Sequence, residues 1–286
     1  MATMPAPQAL DPKTAARALG ASGGVGATKL MALLCDPSVD LDEVFSALKR
    51  EPALAARVLK VSNSPYYRQS GHVGTLERAV ALLGLTAIRG IAAAACLDRA
   101  APPRAGSAFD PERFRRHSLA VGCAAQQLSR ACGAGVDGEA FIAGLLHDIG
   151  ILAMAKADAP RMARFEPLPV ADVPSGLSAE RDHFGMDHLA CSGALVESWS
   201  LPAWLLAPLT CHVDPDPPAS AQGLDTLPAL VALADHLADR AGFGQWPLCA
   251  LRPRAETTAV LGLDEACLDE IAASLPERVA QLAGAA

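Results

Sequence analysis

The spacing of apolar residues constrains the fold more than any other feature of the chain. Leu41, Val44 and Leu48 recur three and four positions apart, which places them on one face of a helix. The same helical spacing returns in later segments, including 111–130 and 227–240. Because no segment shows the strict alternation that is typical of a half-buried strand, the sequence predicts an all-α protein.

Capping residues and linkers divide this helical pattern into parts. Asp40 is typical of a helix N-cap, and Gly84 stands where a helix C-cap is expected. The stretch at 101–108 has the Pro- and Gly-rich composition of a linker. We predict a flexible lead-in over 1–24, an N-terminal helical half over 25–100, a second helical half over 108–240 and a C-terminal helical extension over 241–286.

Composition argues against several functional classes. The formal net charge is −7, which disfavours nucleic-acid binding. The one small basic cluster, Arg113, Arg115 and Arg116, is expected to be a solvated helix flank, because these residues need not share one helix face. No purely apolar run approaches the roughly 20 residues that span a bilayer, and the N-terminus lacks a secretory signal pattern. The eight cysteines form no CxxC pair, as expected for reduced thiols. We therefore predict a cytoplasmic protein that binds neither nucleic acid nor membrane.

Two separated regions carry recognisable motifs. The first, at 58–91, contains Asn63-Ser64 and then a Leu-Gly helix end at Gly84. The second contains AGLLHDIGILAMA, FGMDHLACSGALVESWSLP and CHVD in that order. Together they resemble the HDOD family, the output domains related to the HD and HD-GYP phosphohydrolases, over about 27–212 and on toward residue 240. The resemblance implies an HD-domain-like helical bundle with an added N-terminal helical subdomain.

The histidines and aspartates of the second region match the ligand order of HD-type metal sites. The candidate metal ligands are His117, His147, Asp148, His188, His212 and Asp235. Imidazole and carboxylate together suit Fe, Mn or Zn. His117, His147, Asp148 and Asp235 could hold one ion and leave coordination positions open for water and substrate. His188 and His212 could hold a second ion, and a two-metal centre would suit phosphoryl transfer. The alternative is that each histidine is a hydrogen-bonded core residue.

Several residues depart from the pattern of the catalytic relatives. Cys211-His212 replaces two adjacent histidines, Ser192 replaces a glycine, and Pro208 is expected to kink or shorten its helix. Arg113 lies one turn before His117, where some of those enzymes place a glutamate ligand. A Gly-Tyr-Pro motif is absent, and few basic residues lie beside the motifs. These departures favour a regulator over an enzyme.

The N-terminal half offers candidate contacts for a partner. Asn63 and Ser64 either cap the preceding helix or shape a groove against the second half, and Tyr66 and Tyr67 are candidate surface anchors.

The resemblance to the HDOD family implies a regulatory protein that acts on a protein partner in bacterial signal transduction, linked to cyclic-dinucleotide or two-component pathways; a homodimer remains open. The alternatives are a metal-dependent phosphohydrolase acting on a nucleotide or phosphoester, and a metal-stabilised scaffold.

Overall fold

The protein was analysed as a computed structural model that describes residues 9–36, 38–64, 73–104, 109–165, 173–244 and 255–283. The described residues form helices and turns without a β-strand, so the predicted all-α class is confirmed. The N-terminal half contains helices α1 (Pro12–Cys35), α2 (Leu41–Lys49), α3 (Pro52–Ser62) and α4 (Leu76–Ala100).

Both residues that were predicted to mark helix boundaries in this half, Asp40 and Gly84, interrupt or cap a helix in the structure. Asp40 caps α2 by accepting a hydrogen bond from the backbone N–H of Glu43 at 2.9 Å. Gly84 has a φ of 78°, which breaks the helical path of α4 into two segments. This left-handed conformation is one that glycine adopts without the steric cost of a Cβ atom.

The second half is built around α5 (Pro111–Cys132), which begins at its Asp110 cap and ends at Gly133. The remaining helices of this half are α6 (Asp137–Leu146), α7 (Ile149–Ala157), α8 (Ala159–Arg164), α9 (Val173–Phe184), α10 (His188–Ser198), α11 (Leu206–Cys211) and α12 (Leu227–Arg240). Helix α5 packs against α6 and α12, and α10 packs against α7 and α11. These contacts gather five segments of the second half around one point.

The predicted flexible lead-in is wrong from residue 9 onward. The backbone N–H of Leu10 donates to the carbonyl of Phe184 at 2.8 Å, and α1 begins two residues later at Pro12. Ala15 and Leu19 are fully buried, because α1 packs against α4 of the first half and α7 and α10 of the second. Tertiary burial, rather than intrinsic propensity, explains why this Gly- and Ala-rich segment is helical.

The C-terminal helices belong to the same hydrophobic core. They are α13 (Ala255–Leu261) and α14 (Glu265–Ala283). Leu268, Ile271 and Leu275 are buried where α14 packs against α5 and α12. The segment that we expected to be an appended extension therefore covers the outer face of the central helix.

Two stretches are long and apolar enough to cross a membrane by length and composition, contrary to the sequence expectation. They are Leu76–Ala100 and Asp137–Ala157, and 50% and 89% of their most apolar windows are buried in the fold. The expectation failed because it considered only uninterrupted apolar runs, whereas these helices mix apolar residues with glycine and a few charges. Core helices of a packed bundle meet the same criterion.

Candidate metal centre

The structure brings the six candidate ligands to one place between the helices. His117 lies in α5, His188 begins α10, His212 follows α11, and Asp235 lies in the middle of α12. His147-Asp148 forms the link between α6 and α7. The six side chains thus come from five segments that are distant in sequence.

His147 and Asp148 lie at an interruption between two helices. Immediately after it, α7 packs closely on α10. A Cβ atom on Gly150 would lie 2.0 Å from the carbonyl oxygen of His188, so only glycine permits this approach. The backbone N–H of Gly150 also donates to Ser192 Oγ at 3.1 Å. This packing brings Asp148 beside His188.

Asp148 lies at the centre of the four histidines. Its Oδ2 atom is 3.3 Å from His147 Nε2 and 3.7 Å from His117 Nε2. Its Oδ1 atom is 3.5 Å from His212 Nε2 and 3.7 Å from His188 Nε2. One carboxylate therefore faces two pairs of imidazoles, one pair on each oxygen.

Asp235 closes one side of the first pair. Its Oδ1 atom is 3.3 Å from His117 Nε2 and 3.9 Å from His147 Nε2. The Asp235 side chain keeps 25% of its surface exposed, whereas that of Asp148 keeps 9%. The site is therefore open to solvent on the side of α12.

Each histidine is held by an oxygen at its other ring nitrogen. The Nδ1 atoms lie 3.1 Å from the Phe243 carbonyl for His117, 2.8 Å from the Gly144 carbonyl for His147, 2.8 Å from Glu180 Oε2 for His188, and 3.2 Å from the Pro208 carbonyl for His212. Because a carbonyl or carboxylate only accepts, Nδ1 carries the proton in each ring. The Nε2 atoms face Asp148, where each can donate a proton to the carboxylate or, when deprotonated, offer its lone pair to a cation.

Glu180 is a functional residue that the sequence analysis missed. It is fully buried in α9, and its carboxylate accepts from both the backbone N–H of His188, at 2.8 Å, and the His188 ring. A carboxylate behind a histidine is a frequent arrangement at metal sites, where it fixes the ring and raises its basicity. The available signal was an acidic residue on the helix just before the FGMDH motif.

Asp239 is a second acidic residue that the sequence analysis did not include. It lies one helical turn after Asp235, and it forms with His117 and Asp235 a group whose ligand atoms lie within 4.8 Å of one another. Two further groups of this kind are His117 with His147-Asp148, and Asp148 with His188 and His212. The spacing of four residues on α12 was the signal that could have found it.

Burial and the acidic residues shift the pKa values of the histidines in different directions. Burial lowers the pKa of His117 and of His212. Burial also opposes charge on His147, but the charge and hydrogen bond of Asp148 outweigh it and raise the pKa to about 9. Glu180 acts in the same way on His188, whose pKa rises to about 9. Without a cation, the cluster would therefore hold protons.

The pKa of Asp148 shows how strongly the cluster favours a negative charge at its centre. Burial alone would raise this pKa, but the charge and hydrogen bond of His147 and the hydrogen bond from His212 hold it well below its usual value. A buried carboxylate that stays ionised among histidines is a natural ligand for a cation.

The donor set fits a metal ion. Two ligand atoms that each lie about 2.1 Å from one ion are about 3.0 to 3.4 Å apart at octahedral or tetrahedral angles. His117 Nε2 and His147 Nε2 are 3.2 Å apart, and both are acceptors when their Nδ1 atoms donate, so a cation or proton between them is required. His188 Nε2 is buried and has no hydrogen-bond partner. These atoms have the spacing and the lone pairs of ligands.

The sequence pattern of the HDOD domain matches residues 25–215, about two thirds of the chain. The chain belongs to the HDOD family. No curated protein matches it.

Solved structures share the fold of this HDOD protein. An HDOD domain protein of unknown function from Geobacter sulfurreducens is 23% identical with a TM-score of 0.69, covering 95% of this chain and 97% of that chain. A candidate phosphohydrolase from Shewanella amazonensis SB2B is 22% identical with a TM-score of 0.67, covering 94% and 98%. A candidate signal transduction protein from Marinobacter aquaeolei VT8 is 20% identical with a TM-score of 0.68, covering 96% and 65%. At these identities the likeness shows the fold.

The residues in which this HDOD chain departs from catalytic relatives have clear structural places. Pro208 lies in the first turn of α11, after a 3-10 turn at Ala203–Leu205, where its missing N–H is tolerated. The expected shortening of the helix is therefore present, yet the Pro208 carbonyl serves as the anchor of His212. Cys211 is exposed. Arg113 Nε donates to the Gly244 carbonyl at 2.6 Å, beside the Phe243 carbonyl that holds His117.

The candidate partner residues are only partly described. The Asn63 amide donates to the carbonyls of Leu59 and Val73, both at 2.8 Å, and its oxygen accepts from the Val73 N–H at 2.9 Å. Asn63 therefore ties the end of α3 to the segment before α4. Ser64 Oγ is buried without a hydrogen-bond partner. Tyr66 and Tyr67 lie outside the described residues.

Proposed function

We propose that this HDOD protein is a metal-binding regulatory module that acts on a protein partner in bacterial cytoplasmic signalling, linked to cyclic-dinucleotide or two-component pathways. The observation that carries the proposal is the set of four anchored histidines, whose Nε2 atoms surround one buried carboxylate. Keeping four imidazoles and Asp148 buried is costly unless a cation completes the cluster. This arrangement supports metal binding as a working property of the chain.

The residues of the site would hold the ion and couple its binding to the relative positions of their helices. Asp148, the four histidines and Asp235 would hold the metal, and they belong to segments that include α5, α10 and α12. When bound, the metal supplies positive charge that neutralises the two carboxylates and ties these helices together. Metal occupancy would therefore set how the helices lie relative to one another, and so the surface that a partner meets.

The basic residues near the motifs favour regulation over phosphoester hydrolysis. Phosphoryl transfer needs cationic groups that are free to bind the phosphate. Arg113 already donates to the Gly244 carbonyl, and Arg181 is paired with Asp187 at 2.6 Å. Neither guanidinium is uncommitted.

A metal-dependent phosphohydrolase is the second candidate, because the site opens toward solvent at Asp235. A ligand with a quarter of its surface exposed leaves room for a substrate to reach the ion. The Shewanella amazonensis structure of the same fold bears the name of a candidate phosphohydrolase.

The test is metal analysis followed by an activity assay. The protein is purified under low oxygen without added metal, its Fe, Mn and Zn are measured by plasma mass spectrometry, and it is assayed with nitrophenyl phosphate mono- and diesters. Bound metal without turnover, together with a partner that binds the metal-loaded protein and not the chelated protein, supports the regulator. Metal-dependent turnover that Asp148→Ala abolishes supports the hydrolase. A folded protein that binds no metal would overturn both.

A further inference from the structure

His117 differs from the other three histidines in the kind of residue that anchors it. The anchors of His147 and His212 are carbonyls three and four residues earlier in the chain, and that of His188 is a buried carboxylate on α9. The anchor of His117 is the Phe243 carbonyl, which lies 126 residues later, in the turn that follows α12. Because this turn is not part of a helix, the position of the His117 ring depends on how the turn is held against α5.

The first part of the turn is fixed by the end of α12 itself. Gly242, with a φ of 83°, donates its N–H to the Asp239 carbonyl at 3.0 Å, and the Phe243 N–H donates to the Ala238 carbonyl at 2.9 Å. These two bonds form a Schellman motif, which closes a helix through a glycine in the left-handed conformation. The motif fixes the N–H of Phe243 but does not use the carbonyls of Phe243 and Gly244.

Two arginines of α5 contact the turn beyond that motif. Arg113 Nε donates to the Gly244 carbonyl at 2.6 Å. The guanidinium carbon of Arg116 lies 5.4 Å from the centroid of the Phe243 ring. A hydrogen bond from a charged donor is stronger than one between neutral groups, and a cation over an aromatic ring is attracted to its face. We call these two contacts the arginine clamp.

The spacing of the clamp residues places them beside the histidine that they would serve. Arg113, Arg116 and His117 stand at positions i, i+3 and i+4 of α5, and therefore share one face of the helix. Arg115 lies on another side and is 3.7 Å from Asp98 of α4. The arginines were expected to form a solvated helix flank, and Arg113 and Arg116 are indeed exposed, yet both contact the turn.

We propose that Arg113 and Arg116 are positioning residues of the metal centre, which hold the turn after α12 so that the Phe243 carbonyl fixes the His117 ring. This role rests on the proposed metal-binding function. The His117 side chain keeps only 4% of its surface exposed, whereas both arginines lie at the protein surface. The clamp therefore connects the surface to a buried ligand, and loss of either contact lowers the metal affinity of the site.

The charge of the arginines acts on a cation in the opposite direction. A guanidinium near the site repels a metal ion, so removal of its charge would by itself strengthen metal binding. Removal of the clamp weakens binding instead, because a loosened ring must lose conformational entropy when it coordinates the ion. The direction of the change in metal affinity thus separates positioning from electrostatics.

The first experiment measures the affinity of the chelated full chain for Zn²⁺ by competition with a chromophoric chelator. Residues that hold a ligand directly account for about 10- to 100-fold in affinity, and the arginines act one step further away, so Arg113→Gln should bind Zn²⁺ about 3- to 10-fold more weakly. The double variant Arg113→Gln/Arg116→Gln should be the weakest. Both should unfold at nearly the wild-type urea concentration, since the two side chains are exposed.

Arg130→Gln is the matched control for this measurement. It removes one positive charge from the same helix, but Arg130 pairs with Asp137 at 2.9 Å, away from the turn. The control should therefore bind Zn²⁺ as the wild type does. Zn²⁺ affinity in the double variant that equals or exceeds that of Arg130→Gln would refute the clamp.

The second experiment needs no metal and observes the His117 ring itself. In the metal-free chain with ¹⁵N-labelled histidine, the Nδ1–H signal of His117 is identified by its absence in His117→Gln. This proton should exchange with water faster in Arg113→Gln than in the wild type and in Arg130→Gln, because its bond to the Phe243 carbonyl is no longer held. Equal exchange rates would overturn the proposal. A wild-type chain that binds no Zn²⁺ would instead contradict the metal-binding function, while the exchange rate still decides whether the arginines hold the ring.

Discussion

Both halves of the protein contain a buried core, but the two cores differ in how many polar side chains they contain. Among the described residues up to 104, Ser62 is the one polar side chain that is fully buried, and its hydroxyl donates locally to the Val58 carbonyl. The second half buries four histidines, Asp148 and Glu180 in its centre. The core of the first half is stabilised by apolar contacts, whereas the core of the second half also contains polar groups that contact one another and could hold a cation.

This contrast separates stability from function. Buried ionisable groups reduce the free energy of unfolding unless they are paired. Their concentration in the second half therefore indicates a functional site there. Mutations of the buried ionisable residues of the second half should therefore alter metal binding more than folding, while mutations in the first half should do the reverse.

The largest expected effect is that of Asp148→Ala. This carboxylate lies within 3.7 Å of Nε2 of all four histidines, so its loss should lower metal affinity by more than about 100-fold. Metal content by plasma mass spectrometry and titration of the chelated protein would measure it. Asp182→Ala, an exposed change on α9, is the control and should keep its metal. Equal metal content in both variants would contradict the assignment.

The next effect is that of Gly150→Ala, which acts through packing. The new methyl group would lie 2.0 Å from the His188 carbonyl, so α7 and α10 must separate, at a cost of about 3 kcal/mol. Urea unfolding measures the loss, and metal binding should weaken with it. Gly193→Ala on α10 meets only side-chain atoms at 3.4 Å or more, and should be neutral or slightly stabilising. Similar stabilities for the two variants would argue against this close approach.

A smaller effect is expected for Glu180→Gln, which keeps the size of the side chain and removes its charge. The His188 ring would lose its carboxylate support, and metal affinity should fall about 10- to 100-fold. Glu197→Gln, on the exposed side of α10, controls for the general loss of one negative charge. If Glu180→Gln binds metal as tightly as Glu197→Gln, then His188 is not a ligand that depends on Glu180.

The smallest effect tests the first half. Asn63→Ala removes two hydrogen bonds to Val73 and one to the Leu59 carbonyl, and should cost about 1 kcal/mol in urea unfolding while leaving metal content unchanged. Ser64→Ala is the neighbouring control, because its hydroxyl has no partner to lose. Loss of metal in Asn63→Ala would contradict the prediction that mutations in the first half leave metal binding unchanged.

The sequence predicted the helices and the candidate ligands because both depend on residue type and spacing. Asp40 acts locally through its side chain and Gly84 through its backbone freedom, and the histidines have a distinctive chemistry at each position. Metal binding by these histidines stays a prediction, while their convergence is seen in the structure. The anchors of His117, His147 and His212 are backbone carbonyls, which every residue carries and which therefore leave no sequence signal.

The errors share a tertiary cause. The Gly- and Ala-rich beginning of α1 looks like a loop, yet burial of Ala15 and Leu19 against the other helices makes it helical. The close approach of Gly150 to α10 has no local signal either, since it depends on a contact with the distant His188 carbonyl. Glu180 appears to be an ordinary helix residue until the fold places His188 beside it. Local patterns do not contain such contacts between distant segments.

The anchor of His117 has a consequence for the synthesis of the protein. The Phe243 carbonyl that fixes this ring lies 126 residues further along the chain. At translation rates of about 5 to 20 residues per second, the ribosome adds that carbonyl roughly 6 to 25 s after the histidine. His117 therefore lacks its anchor until the ribosome has passed α12, whereas the oxygens that hold His147, His188 and His212 lie three to eight residues before each ring and are already present when it emerges.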